Sequence, residues 1–335
     1  GVRQQRLRAR LSGALLLVGA GVAMLMHGYP GPQGVVGLNG FHLSALVIAA
    51  SALFAAWRLE RAREGLGNID RAVGYALLVW GLAWLALPTL YDFDERYRVA
   101  VALPMDVLFF TVAAAAFELF GRRWASSTAR RVALALLPLM GVVLLVALVD
   151  LTHPVAGRAW AAWPVGVVAW IWLLWRQEGV LNAGLRALGH GGLVWLLVLL
   201  VGTEGAWRLE GVGGVGSSWP LLGWAMVIVA TIGLGLHGGK LLVWPLGHHA
   251  DAYRRWGLRP VVALAVLGTL YANATSSGDA GALPYVPLVN PVDIVLAWFS
   301  PNVVLEPKDY LTATIGGDLI GKILKKIFGP EVEEE

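Results

Sequence analysis

The residues of this sequence that are able to do chemistry are few, and most are acids. Asp92, Asp94 and Glu95 stand together, with Arg96 and Arg98 beside them. Carboxylates accept protons and are hard oxygen ligands, so such a group suits general acid–base work or cation binding. The plain alternative is a solvated loop with local ion pairs. Asp106 lies in Leu103-Pro-Met-Asp-Val-Leu108, inside an otherwise apolar stretch. A carboxylate at that depth in hydrocarbon costs on the order of 3 kcal/mol unless it is paired, protonated or facing a wet cavity. Arg98, His42 and Arg158 are its candidate partners; a buried structural hydrogen bond is the alternative role. Farther on, the run Leu283-Pro-Tyr-Val-Pro-Leu-Val-Asn-Pro-Val-Asp293 brings Tyr285, Asn290 and Asp293 into one proline-anchored segment. Asn290 is placed to cap a helix opening at Pro291, and Asp293 falls in its first turn, so capping alone explains these residue types. A ligand-binding role is the second reading.

The elements that must position these groups are membrane spans. Of 335 residues, 57% are hydrophobic and only 14% carry a charge; mean hydropathy is +0.66. A soluble domain carries about 25% charged residues. Cys is absent, which excludes disulfides, thiol chemistry and Cys-ligated metal. A spanning helix needs roughly 20 mostly apolar residues. That window predicts spans at 11–28, 41–58, 72–90, 98–120, 132–151, 159–175, 188–204, 219–237 and 259–274, and a shorter tenth at 291–305 interrupted by Pro301. The expected fold is therefore all-α: a polytopic transmembrane helical bundle of about 9–10 spans.

Basic residues alternate sharply between the connecting loops. Arg3 to Arg10, Arg58 to Arg71, Arg122 to Arg131, Arg176 with Arg186, and Lys240 to Arg259 fall on one side. Only Arg96, Arg98, Arg158 and Arg208 fall on the other before position 306. Cytoplasmic loops carry the excess of Lys and Arg, so the N-terminus is expected in the cytoplasm. The outer loops are then 29–40, 91–97, 152–158, 205–218 and 275–290, and the acidic group at 92–95 falls in the second of them. The net charge of +4 reflects membrane-edge clusters that can attract anionic headgroups rather than a nucleic-acid surface.

Other motifs carry less. Gly211-Val-Gly-Gly-Val-Gly216 matches a dinucleotide fingerprint in letters only, because no strand precedes it. His248-His249-Ala-Asp251 holds metal-ligand residue types but reads as a solvated turn at the headgroup level. Residues 306–335 differ from the rest: Lys replaces Arg, an apolar stripe runs from Ile315 to Phe328, and the chain ends in Glu331-Val-Glu-Glu-Glu335. That tail reads either as a native amphipathic helix on the membrane surface or as sequence foreign to the bundle at 1–305.

The stretch from Trp244-Pro-Leu through Arg254, then Tyr271-Ala-Asn-Ala, then Ser277-Gly-Asp-Ala-Gly through Asp293 resembles a family of predicted bacterial multi-pass membrane proteins, the domain of unknown function 2339. The resemblance is specific over residues 244–293; elsewhere it rests on the span pattern and on Asp94-Glu-Arg96. It implies a multi-pass protein of the bacterial inner membrane and supplies no reaction and no catalytic residues. Family members are often longer, and a chain that starts at Gly1 and breaks at Ser300-Pro-Asn302 fits a piece of a longer protein.

The leading functional expectation is an envelope protein that handles a lipid-linked or glycan substrate at the outer face. Asp92, Asp94, Glu95 and Asp106 are the candidate catalytic residues; Arg96, Tyr285, Asn290 and Asp293 are candidate substrate contacts. No cofactor or metal site is expected. The expected partners are the lipid bilayer, a lipid-linked substrate and other membrane subunits, with no nucleic acid. The alternatives are a non-catalytic scaffold subunit of a membrane assembly, and a transporter or channel whose broken helices would sit at Pro104, Pro138 and Pro164.

Overall fold

The computed structural model describes residues 7–28, 31, 34–35, 39–62, 67–240 and 242–275. They form α1 (Leu7–Met26), α2 (Gly40–Arg61), α3 (Asn68–Arg96), α4 (Val99–Arg123), α5 (Ser127–Ala133), α6 (Leu136–Asp150), α7 (Ala159–Gln177), α8 (Ala183–Gly213), α9 (Trp219–His237) and α10 (Arg259–Thr275). Irregular turns at Gly238–Lys240 and Val243–Gly247 and a π-helical turn at Ala252–Leu258 join the last two. Every one of the nine clear spans is helical, and no strand occurs among the described residues. Among the described residues seven helices, the fifth of them Ser127–Asp150 with α5 and α6 taken together, are long and apolar enough to cross a membrane; α7 and α10 are not among the seven. The tenth expected span, at 291–305, lies outside the described residues, as do Tyr285, Asn290 and Asp293.

Two helices, α3 and α8, run more than one turn past their predicted C-terminal ends. The structure extends α3 to Arg96, so the acidic group expected in a loop sits on the helix's last two turns. Acids are unfavourable near a helix C-terminus. Here i,i+4 contacts offset that cost: Arg96 Nε donates to Asp92 Oδ1 at 2.7 Å, and Tyr91 hydrogen-bonds Glu95. Likewise α8 continues to Gly213 through residues expected in the outer loop 205–218, helped by the i,i+4 pair of Arg208 with Glu204.

The described chain divides into two compact units. The first comprises residues up to 139 together with 157–173; the second comprises 140–156 and the residues from 174 onward. In the first unit α2 packs along α3. Ala45, Ala49, Ala52 and Ala56 are all buried and recur at helical spacing, so they form one small-residue ridge. Facing it, α3 buries Leu77, Gly81, Trp84 and Pro88. A Cβ on Gly81 would stand 2.8 Å from Leu53 Cγ and 3.1 Å from the Ala49 carbonyl oxygen. Gly21 of α1 sits directly against the Trp80 and Trp84 rings, and Trp80 Nε1 donates to the Leu17 carbonyl at 3.3 Å. Lipid tails are as apolar as Leu, so helices gain from close packing rather than from leaving the solvent.

At the Arg-rich end of this unit, Asp70 in the first turn of α3 receives both Nε and Nη2 of Arg10, at 2.7 and 2.9 Å. Glu60 of α2 caps α5 from outside. Its Oε1 accepts from the Thr128 amide at 2.9 Å, Thr128 Oγ1 at 2.8 Å and Ser127 Oγ at 3.0 Å, and its Oε2 accepts from Ser126 Oγ. Within the second unit, Val194 and Val198 of α8 and Ile228 and Ile232 of α9 form one core with Leu258, Val261, Val262 and Ala265. Gly223 of α9 meets the α8 backbone: a Cβ there would lie 2.6 Å from the Ala206 nitrogen.

Gly81→Val in α3 therefore forces the α2–α3 pair apart. We expect a loss of about 1–3 kcal/mol, read as a lowered thermal midpoint in detergent. Gly13→Val, where a Cβ meets nothing within 4 Å, leaves the midpoint unchanged.

Candidate functional site

The sequence-predicted acids gather at the end of the first unit opposite its Arg-rich edge, where α2 begins, α3 ends and α4 begins. Helix geometry separates them. Asp92 points into the bundle and is fully buried, whereas Asp94 and Glu95 are exposed. At about 100° per residue Asp94 is turned to the opposite side of the helix from Asp92, and Glu95 lies at the exposed rim of the buried side. Asp92 is bound to Arg96, whose Nη1 donates to the Gly34 carbonyl at 3.0 Å. That pair ties the connection before α2 to the end of α3, a structural duty.

His42, one of the candidate partners of Asp106, is fully engaged elsewhere. Asn39 caps α2 by accepting the His42 amide at 2.8 Å, and its Oδ1 also faces His42 Nδ1 at 3.0 Å. His42 Nε2 faces the Pro88 carbonyl at 3.0 Å. Both ring nitrogens thus meet oxygen, and neither is left for Asp106.

Asp106 sits two turns into α4. It is partly exposed, yet its Oδ1 is buried and has no hydrogen-bond partner among the described residues. Asp94 is the charged neighbour it feels. Two carboxylates, one at the surface and one within the span, are therefore electrostatically linked across the short turn between α3 and α4. Pro104 shapes this place. Lacking an N–H, it leaves the Ala100 carbonyl without its i+4 helical donor. Gly157 comes up against that same carbonyl: a Cβ on it would lie 2.6 Å from the Ala100 oxygen, and its φ of +64° is in the left-handed region that favours glycine. The first turn of α4 is thus opened by one residue and covered by another.

Two polar clusters in the second unit escaped sequence reading. His153 Nδ1 lies 2.7 Å from Glu204 Oε2 and its ring stacks on Trp207 at 3.7 Å, while Arg208 holds the other Glu204 oxygen at 2.6 Å. Glu204, at the end of the expected span 188–204, is largely enclosed by these partners. At the other end of α8, buried His190 faces the Tyr253 hydroxyl at 3.0 Å and stacks on His249 at 4.4 Å. His249 Nε2 lies 2.8 Å from Glu178 Oε1, and Trp244 Nε1 donates to Glu178 Oε2 at 3.2 Å. His249, read from sequence as part of a solvated turn, is thus packed inside a cluster. Burial raises the Tyr253 phenol above its ordinary value, so it stays protonated as a hydroxyl partner of His190. The sequence signal was His248-His249 itself; its partners stand far along the chain. Among the described residues no group of three or more His, Asp or Glu side chains is arranged to hold a metal ion.

Comparison with known families decides what kind of protein carries this arrangement. The profile of the family described as "Predicted membrane protein (DUF2339)" matches residues 1–304. The chain belongs to that family. Membership extends the resemblance seen at 244–293 across nearly the whole bundle, and the DUF2339 family has no established function. No curated protein and no solved structure matches the chain. In this DUF2339 protein the acids at 92–106 are consequently read from their own geometry.

Removing Arg96 should test the structural duty of the buried pair. Arg96→Ala leaves the Asp92 carboxylate without its guanidinium, and we expect a destabilisation of about 3 kcal/mol. Glu95→Gln, at an exposed position, should stay within about 0.5 kcal/mol. Thermal unfolding in detergent measures both.

Proposed function

We propose that this membrane protein resides in the bacterial inner membrane and handles a lipid-linked or glycan substrate at the outer end of its first unit. The observation that carries the reading is Asp106, a carboxylate inside a span with an unbonded buried oxygen and the exposed Asp94 as its charged neighbour. An intramembrane acid that is not consumed by a structural partner is by default a functional group. In this reading one carboxylate accepts a substrate hydroxyl proton while the other orients that hydroxyl. In this reading Asp94 and Asp106 do the acid–base work, and Glu95 contributes to the entrance. Asp92 and Arg96 act as positioning residues, since each is occupied by the other. The reading also assigns substrate contacts to Tyr285, Asn290 and Asp293, on their polarity and proline-anchored setting in the sequence.

The apolar reach of the spans favours a substrate with a lipid portion, because such a molecule brings its headgroup to the height of Asp94 while its chain stays in hydrocarbon. The test is complementation of a deletion strain with Asp94→Asn and Asp106→Asn. Both variants should insert at wild-type level and fail to restore the envelope, with each single change as damaging as the double. Full restoration by either variant overturns the proposal. Full restoration together with stoichiometric co-purifying subunits assigns the protein to a scaffold role instead.

A further inference from the structure

The opposite half of the first unit contains a cavity of about 690 Å³ between α2, α3 and α4. Its walls are almost wholly hydrocarbon: Leu53, Leu78, Leu85, Phe109, Ala113 and Phe117 are among them. Phe54, Tyr75 and Val112 also line it and are 59%, 51% and 69% exposed, so one side opens to whatever surrounds the helices. In a bilayer that surrounding is lipid.

The cavity has a defined length and one polar end. Along α2 it runs from Ala50 to Glu60, which at 1.5 Å per residue is about 15 Å. One leaflet supplies about 15 Å of hydrocarbon, half of a core about 30 Å thick. The polar end is formed by Glu60, Asp70, Arg71, Ser126 and Thr128, at the Arg-rich edge of the unit. Most of these groups are already satisfied. The Glu60 oxygens are taken by Ser126, Ser127 and Thr128, and both Asp70 oxygens are taken by Arg10. Arg71 differs: its side chain is exposed and has no hydrogen bond or ion pair among the described residues. A guanidinium free at the mouth of a leaflet-deep apolar cavity matches one ligand chemistry, a phosphate attached to an acyl chain.

We propose that this cavity seats an anionic glycerophospholipid from the leaflet at the Arg-rich edge, with an acyl chain between α2, α3 and α4 and its phosphate on Arg71. The site is separate from the carboxylates at the other end of the unit and does not depend on their role. Arg58 and Arg61 in the last turn of α2 and Arg122 and Arg123 in the last turn of α4 lie at the same edge. They raise the local concentration of anionic headgroups without themselves lining the cavity.

The full chain, reconstituted in nanodiscs of equal phosphatidylglycerol and phosphatidylcholine and then released into mild detergent, tests this by native mass spectrometry of retained lipid. The wild-type protein should retain phosphatidylglycerol over phosphatidylcholine by about fivefold. Arg71→Gln should abolish that preference while lipid is still retained. Ala116→Phe, which places a ring in the cavity, should lower retention of both lipids. Arg123→Gln, an exposed Arg outside the cavity, should leave the preference intact. Equal retention of the two lipids by the wild-type protein overturns the proposal even where a variant fails to fold. An Arg71→Gln protein that keeps the preference also overturns it, as does a polypeptide found in the cavity by cross-linking from position 116. Complementation by Asp94→Asn and Asp106→Asn is read independently of these results.

Discussion

Every backbone N–H and C=O that enters hydrocarbon must be satisfied within the chain, because no water is there to replace a lost partner. This protein meets that demand with helices, and the rest of its structure follows from how those helices are brought together. Since lipid offers no hydrophobic drive for association, contact depends on closeness. The alanine ridge of α2, Gly81 of α3, Gly21 of α1 and Gly223 of α9 are the positions where that closeness is achieved. Each glycine lets a backbone, a Leu side chain or an aromatic ring approach where a Cβ would intervene, and each alanine presents no more than a methyl group. The two tryptophans Trp80 and Trp84 show the complementary half of the device: large rings fill the space that a small residue on the neighbouring helix leaves open.

The same constraint disciplines the polar residues. Within the first unit nearly every buried charge has an assigned partner at a helix end: Arg10 with Asp70, Arg96 with Asp92, Arg130 with Glu118 at 3.4 Å. Glu60 serves as a cap for the N-terminus of α5 and so fills orphan donors that the short helix cannot satisfy itself. Against that background Asp106 is distinctive, since no described Arg or Lys is paired with it and its charged neighbour is another acid, Asp94. Arg71 is its counterpart at the other edge, a cation without a partner among the described residues. Asp106 and Arg71 thus stand near the two ends of the unit, one beside an acid and one beside an apolar cavity.

The fold was legible in the residues to an unusual degree. Span 219–237 is reproduced residue for residue by α9, and the other eight clear spans are helices shifted or extended by a few residues at their ends. The candidate site was legible only in part. The types Asp92, Asp94 and Glu95 stood out, yet their division into one buried structural acid and two exposed ones depends on the rotation of α3 and on its continuing to Arg96. His42 was a reasonable partner for Asp106 by residue type, but Asn39 and the Pro88 carbonyl hold both its nitrogens. His249 looked solvated because Glu178 and His190, which enclose it, lie far away along the chain.

The sequence by itself determined which segments are long and apolar and that they are helical. It also determined which loops carry the Arg clusters. These are one-dimensional properties: apolar length against bilayer thickness, and charge against the ends of each span. Only the tertiary structure decided which polar groups meet, where small residues admit a neighbour, and that a leaflet-deep cavity lies between α2, α3 and α4. Those outcomes depend on the angular setting of each helix about its own axis. A turn of 100° per residue moves a side chain from lipid to core, and only contacts between residues far apart in the chain hold that angle.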